Sequence, residues 1–211
     1  MDELDLLKKD WKKQEKYLPK LSYDDIYKMI WKKSSSIVKW IFLISIIEFF
    51  FGVALNLFLA DEDYWAQMEK YELTEFTIGL YIISYVVTFY FIFKFYRNYR
   101  KISSTDNAAR LMKNILNTRR TVKYYIGYVL ISSGISFLLG VFFVMRHHIS
   151  TIEPTEKNMS FDTLEWLMFI GGLLLVLVLF LGIIWLLYRL IYGILLKRLK
   201  SNYKELKKLK N

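Results

Sequence analysis

The chain contains no cysteine, and among its 211 residues there are only two prolines and two histidines. Without cysteine there is no disulfide framework, no thiolate metal site and no cysteine nucleophile. The adjacent residues His147 and His148 point about 100° apart on a helix and suit a single metal poorly. The motifs HExxH, GxSxG, Walker A and GxGxxG are absent as well. We therefore predict a non-enzymatic protein with no cofactor and no metal.

Four long apolar runs are the most informative feature that is present. They cover residues 37–60, 76–93, 124–145 and 166–188, and each is 18 to 24 residues long. At about 1.5 Å per residue, each run can cross a hydrocarbon core about 30 Å thick. A helix that is apolar all round must be buried on all sides. The runs predict an all-α, polytopic membrane protein with four transmembrane helices.

The placement of charge predicts the orientation. Residues 1–39 carry ten lysines and arginines, residues 94–123 carry nine and residues 189–211 carry eight, while the other two connections carry three together. The positive-inside rule then places both termini and the middle loop in the cytoplasm, with the protein in the inner membrane. Aromatic residues such as Tyr188 and Tyr192 lie near the predicted boundaries, as in the aromatic belts of membrane proteins.

The net charge of +10 is mostly juxtamembrane. Attraction to anionic lipid headgroups explains such a charge. Basic residues mixed with aromatics can also indicate nucleic-acid binding, but no recognition motif accompanies them here. We therefore predict membrane lipids as partners and no nucleic acid.

These patterns divide the chain into three parts. Residues 1–35 form a predicted cytoplasmic amphipathic arm. Residues 36–191 form the four-helix transmembrane domain, which includes a cytoplasmic helical hairpin at 94–123. Residues 192–211 form a basic, helical cytoplasmic tail.

The N-terminal arm is predicted to contain two short helices. Leu4, Leu7 and Trp11 recur at helical spacing and are flanked by lysines. Ser22 is the predicted N-cap of the second helix. One reading places the arm flat on the membrane surface with its lysines toward lipid headgroups. The other reading makes it a docking peptide for a cytoplasmic partner.

Two further apolar stripes lie outside the predicted spans. Leu111 and Ile115 belong to the stripe in the hairpin, and Leu199 and Leu206 belong to the stripe in the tail. We predict that the second, third and fourth membrane helices continue into the cytoplasm and pack there through these stripes. The alternative is that both stripes lie on lipid. We assign the same four residues to the surface that binds a partner.

Glu48 is the anomalous residue of the predicted membrane domain, because it lies near the middle of the first apolar run. An ionisable residue at that depth is costly and is a functional candidate. Ser45 and Asn56 share its helix face. Further polar residues on the second and third runs are expected to turn inward as well, with Ser84 and the serines of the third run nearest to Glu48 in depth. They are Tyr81, Ser84, Thr88, Ser132 and Ser136.

Two roles for Glu48 follow from this position. As a neutral carboxyl it would form hydrogen bonds between helices. As a functional group it would carry a proton or bind a cation. The fourth run has almost no polar residue and is expected to be the most lipid-exposed helix.

The segments ELDLLKKDWKKQE and LPKLSYDDIYKMIWKKSSSIVKW at the start of the chain resemble those of small multi-span inner-membrane proteins of Bacteroidota. The resemblance is best over the first 40 residues and extends more loosely to the four-span plan. It implies a neighbourhood of envelope regulation, with the N-terminal arm as an anti-sigma-like contact.

Two functions are consistent with the sequence. The first is an interaction or regulatory scaffold that acts through its basic cytoplasmic helices and through self-association, with a second copy or a cytoplasmic protein as its partner. The second is a small transporter or channel subunit built around Glu48.

Overall fold

The computed structural model describes residues 22–105, 107–151 and 163–210, and these residues form five helices and no strand. The helices are α1 (Tyr23–Leu59), α2 (Glu62–Lys70), α3 (Thr74–Ser103), α4 (Ala108–Thr151) and α5 (Thr163–Lys210). The all-α prediction is confirmed for this part of the chain. The stripe Leu4, Leu7 and Trp11 lies outside the described residues, and so do the side chains of His147 and His148.

Helix α1 begins where the sequence predicted. The hydroxyl of Ser22 accepts a hydrogen bond from the backbone N–H of Asp25 at 3.2 Å, and the Asp25 carboxylate accepts one from the backbone N–H of Ser22 at 3.2 Å. This reciprocal pair is a capping box. The hydrogen bonds from Ser22 also hold the pKa of Asp25 below its usual value.

Four of the helices are long and apolar enough to cross a membrane. They are α1, α3, α4 up to Arg146 and α5 up to Leu209, and each contains one of the four apolar runs. The short helix α2 was not predicted. It packs beside the first turns of α3, where the hydroxyls of Tyr64 and Tyr81 lie 3.2 Å apart.

The four long helices form a closed ring. α1 contacts α3 and α5, and α4 contacts the same two helices. Their common core lies at one end of this ring, which we call the basic half: residues 23–47, 91–103, 108–125 and 189–209. The remainder of the bundle is the apolar half. Fully buried apolar side chains of the basic half include Val38, Ile41, Phe95, Ile102, Leu111, Ile115, Val122, Tyr192, Leu199 and Leu206.

The apolar half is packed quite differently. In the most apolar stretch of each long helix, at most 11% of the residues are buried within the chain. Side chains such as Phe58 and Val178 are 83% and 67% exposed. Surfaces of this kind need an apolar surrounding, which a bilayer supplies.

The two stripes outside the predicted spans pack together in the basic half. Leu111, Ile115, Leu199 and Leu206 are all fully buried and belong to one hydrophobic cluster. Their predicted packing is confirmed. Their assignment to a partner-binding surface is corrected, because a side chain that its own chain covers completely is not available to a partner.

Polar side chains fix how the helices of the basic half align. The Asn202 amide donates a buried hydrogen bond of 3.0 Å to the hydroxyl of Ser34, which joins α5 to α1. The Trp31 indole N–H donates to the carbonyl of Ile102 at 2.9 Å, which joins α1 to the end of α3. Satisfied polar pairs in a core favour one alignment over its neighbours, because a shift would leave them unpaired.

We expect Ile115→Asp to lower the free energy of unfolding by about 1–3 kcal/mol, since it places a carboxylate in an apolar core. Leu116→Asp is the matched control, because Leu116 is the next residue and is 42% exposed; its effect should stay within about 0.5 kcal/mol. Thermal and denaturant unfolding of the purified protein in mild detergent measures both. Equal stability of the two variants would contradict the packed basic half.

Candidate functional site

The basic and apolar halves meet at Glu48 of α1. The Tyr188 hydroxyl donates a hydrogen bond to Oε1 of this carboxyl. The Tyr192 hydroxyl donates to Oε2 at 3.1 Å. The two tyrosines lie one turn apart on α5 and therefore share a helix face. A single carboxyl group thus connects α1 to α5 through both of its oxygens.

Aromatic rings from the other helices enclose this connection. The rings of Tyr188 and Tyr192 are stacked, with centroids 5.8 Å apart and planes 10° apart. The ring of Tyr125 from α4 meets both of them edge-on, at 6.0 and 6.2 Å. Tyr125 in turn packs against Phe91 and Phe95 of α3, at 5.2 and 5.6 Å. All four long helices therefore contribute to one layer around the carboxyl, which we call the Glu48 junction.

The alignment of the helices corrects the depth expected for Glu48. It contacts Tyr188, the last residue of the fourth apolar run, and lies in the same layer as Tyr125, the second residue of the third run. Glu48 is therefore level with the basic ends of those runs and not with their middle. The cause lies in α1, where Val38 and Ile41 are core residues of the basic half, although they belong to the first apolar run.

A second polar contact lies farther along the apolar half. The Asn56 amide donates to the carbonyl of Gly52 at 2.9 Å and to the Tyr85 hydroxyl at 3.4 Å. Tyr81, one turn from Tyr85, has its hydroxyl 3.2 Å from that of Tyr64. Two of the predicted residues, Asn56 and Tyr81, thus connect α1 and α2 to α3, and their partners Tyr85 and Tyr64 were not predicted from the sequence.

The remaining predicted residues do not join Glu48. The hydroxyls of Ser45, Thr88 and Ser132 donate to carbonyls of their own helices, at 2.7, 2.8 and 3.1 Å. Ser84 and Ser136 lie on exposed faces. The expected grouping of Glu48 with these serines is therefore not formed, because a serine or threonine in a helix can bond to the carbonyl one turn earlier.

Tyr188 and Tyr192 were not expected at Glu48, because their place near a predicted membrane boundary indicated an aromatic belt. The sequence did contain a pattern that could have indicated the contact between these tyrosines and Glu48. Two tyrosines four residues apart expose two hydroxyls on one face of α5, and a carboxyl without a basic partner needs hydrogen-bond donors.

The Glu48 junction contains few groups that could bind a ligand or take part in a reaction. It holds one carboxyl and three phenols, and no group of three His, Cys, Asp or Glu side chains in the described parts of the chain could hold a metal. Both carboxyl oxygens accept hydrogen bonds, so the arrangement fits a connection between helices. It also offers one carboxyl that could carry a proton within a layer of aromatic rings.

These observations define a class: an all-α protein with four helices long and apolar enough to span a membrane, packed mainly at their basic ends. Residues 24–211 match the family described as a domain of unknown function, DUF8845. The chain belongs to that family, and the match includes all of α2 to α5 and α1 from its second residue. No curated protein and no solved structure matches the chain.

The Glu48 junction predicts a specific loss for Tyr192→Phe. Removing this hydroxyl leaves Oε2 of Glu48 without the donor that the structure shows, so the free energy of unfolding should fall by about 0.6–1.7 kcal/mol. Tyr124→Phe is the control, since Tyr124 lies beside Tyr125 and is 62% exposed. Unfolding in mild detergent compares the two variants, and an unchanged Tyr192→Phe protein would argue against the junction.

Proposed function

We propose that this protein is a non-enzymatic inner-membrane protein that acts as an interaction or regulatory scaffold through its basic half. One observation carries the proposal: the core shared by the four long helices lies in the basic half and not in their most apolar stretches. About 20 residues suffice for a helix to cross a bilayer. α4 and α5 have 44 and 48 residues, so much of each helix serves a purpose other than crossing.

The proposed orientation places the basic half and both termini in the cytoplasm. Lys94, Lys123 and Arg189 come from three different helices, and each is within three residues of an aromatic residue in the Glu48 junction. Cations at one level on several helices are typical of a cytoplasmic membrane boundary. This ring of cations therefore supports a bilayer that begins near Glu48 and surrounds the apolar half.

The exposed surface of the basic half suits an acidic partner. α5 carries a dense set of exposed cations there: Lys197, Arg198, Lys200, Lys204, Lys207 and Lys208. Such a surface attracts anionic lipid and acidic protein surfaces. A second copy would present the same positive charge, so contact through this surface favours a cytoplasmic protein of opposite charge. Self-association would instead use the N-terminal arm or the apolar half.

Co-purification from native membranes in mild detergent, followed by mass spectrometry, tests the scaffold. We expect a stoichiometric cytoplasmic protein with the wild type and its loss from the variant Lys197→Gln, Lys200→Gln, Lys204→Gln, because the variant removes three charges from the contact surface. The control replaces Lys70, Arg146 and Lys157 by Gln, which removes the same charge from the predicted outer side. Partner retention by the first variant, or loss from both, would contradict the proposed surface.

The alternative function is a small transporter or channel subunit that uses Glu48. The observation in its favour is that Glu48 is an ionisable group in an aromatic layer, with the polar contacts of Asn56 and Tyr81 farther along the apolar half. Ion or proton flux in reconstituted vesicles that disappears in Glu48→Gln, together with a protein that purifies without a partner, would replace the scaffold with this function.

A further inference from the structure

An open cleft of about 590 Å³ lies where α3 turns into α4. Three cations line it, namely Lys101 from the end of α3 and Arg110 and Lys113 from the first turns of α4. Arg110 and Lys113 are three residues apart and share a helix face. Asn117, one turn farther along α4, adds an amide to the same wall.

The cations of the cleft are not neutralised within the described parts of the chain. No carboxylate is among the residues that line the cleft there. The nearest carboxylate along the chain, Asp106, lies outside the described residues. Three like charges around one cavity repel each other unless an anion lies between them.

Hydrogen bonds between α3, α4 and α1 fix the shape of the cleft. The Asn114 amide donates to the carbonyl of Lys101 at 3.2 Å and to the Thr105 hydroxyl at 3.0 Å. Thr105 is only 3% exposed, and its carbonyl accepts a hydrogen bond of 3.0 Å from the Tyr27 hydroxyl of α1. The end of α3 and the start of α4 are thus tied together and to α1. A site whose walls are already positioned loses less free energy to ordering when a ligand binds.

We propose that this cleft binds a soluble, phosphate-bearing anion. Lysine and arginine form charge-assisted hydrogen bonds with phosphate oxygens, and arginine can do so with two parallel bonds. The cavity volume falls within the range of small-molecule sites, about 300–1,000 Å³. It is large enough for more than a single phosphate group, so a pyrophosphate or a nucleotide suits it better than inorganic phosphate.

The position of the cleft favours a soluble anion over a lipid headgroup. Lys101 lies seven residues beyond Lys94, and Arg110 lies thirteen residues before Lys123. At about 1.5 Å per residue, these separations place the cleft about 10–20 Å away from the ring of cations that marks the proposed membrane boundary. The proposal does not depend on the scaffold function, because it needs neither a protein partner nor the α5 surface.

The test is titration of the full-length protein, in nanodiscs of neutral phosphatidylcholine, with inorganic pyrophosphate by isothermal calorimetry. We expect saturable binding that weakens with salt and falls by about tenfold or more in the variant Lys101→Gln, Arg110→Gln, Lys113→Gln. The control Lys204→Gln, Lys207→Gln, Lys208→Gln removes the same charge from exposed positions of α5 and should keep its affinity within about threefold. Equal losses in both variants, or no binding to the wild type, would overturn the proposal.

A second variant tests the shape of the cleft without changing its charge. Ala109 is exposed and lines the cleft, so Ala109→Trp places a bulky ring at the wall of the cavity and leaves all three cations in place. We expect it to lose pyrophosphate binding and to keep the thermal stability of the wild type. Wild-type binding by Ala109→Trp would overturn the site. Native mass spectrometry distinguishes a soluble anion from a lipid headgroup. If the wild type retains anionic lipid but does not bind pyrophosphate, and the variant at Lys101, Arg110 and Lys113 loses that lipid, the ligand is a headgroup and not a soluble anion.

Discussion

Burial of aliphatic and aromatic side chains between the basic ends of four helices is the interaction on which the rest of the structure depends. Ile41, Phe95, Val122 and Leu199 come from four different helices and are all fully buried. Removing apolar surface from water drives such packing. The apolar half lacks a comparable core, so its helices are held together by their continuation into the basic half, by the Glu48 junction and by the surroundings that cover their exposed faces.

The division between the packed basic half and the exposed apolar half is the part of the fold that the sequence could not reveal. Apolar run length predicted four spanning helices, and helical spacing predicted the packed stripes of Ile115 and Leu206. Hydropathy does not distinguish a side chain in a protein core from one in lipid, because both environments are apolar. Val38 and Ile41 were therefore counted within the first span, which placed Glu48 level with the middle of the other apolar runs and not with their basic ends.

The partners of Glu48 were hidden for a related reason. Spacing along one helix predicts which residues share a face, and it grouped Glu48 with Asn56 on α1, but Glu48 bonds to α5 and Asn56 bonds to α3. It does not show how neighbouring helices are aligned along their axes, which the Asn202–Ser34 and Trp31–Ile102 bonds determine. That alignment brings Tyr188 and Tyr192 to the carboxyl. The helix α2 was missed because it has only nine residues, fewer than the window of about 11–18 residues over which a helical pattern is read.

In the proposed orientation the basic half lies in the cytoplasm and the apolar half lies in the bilayer. Because the chain has no cysteine, single cysteines at exposed α4 positions can be labelled with an impermeant maleimide in intact spheroplasts and in inverted vesicles. Lys113→Cys and Asn117→Cys should react only in inverted vesicles, while Ile131→Cys and Ile135→Cys should react in neither. Labelling of Lys113→Cys in spheroplasts, or rapid labelling of Ile131→Cys in either preparation, would contradict the account.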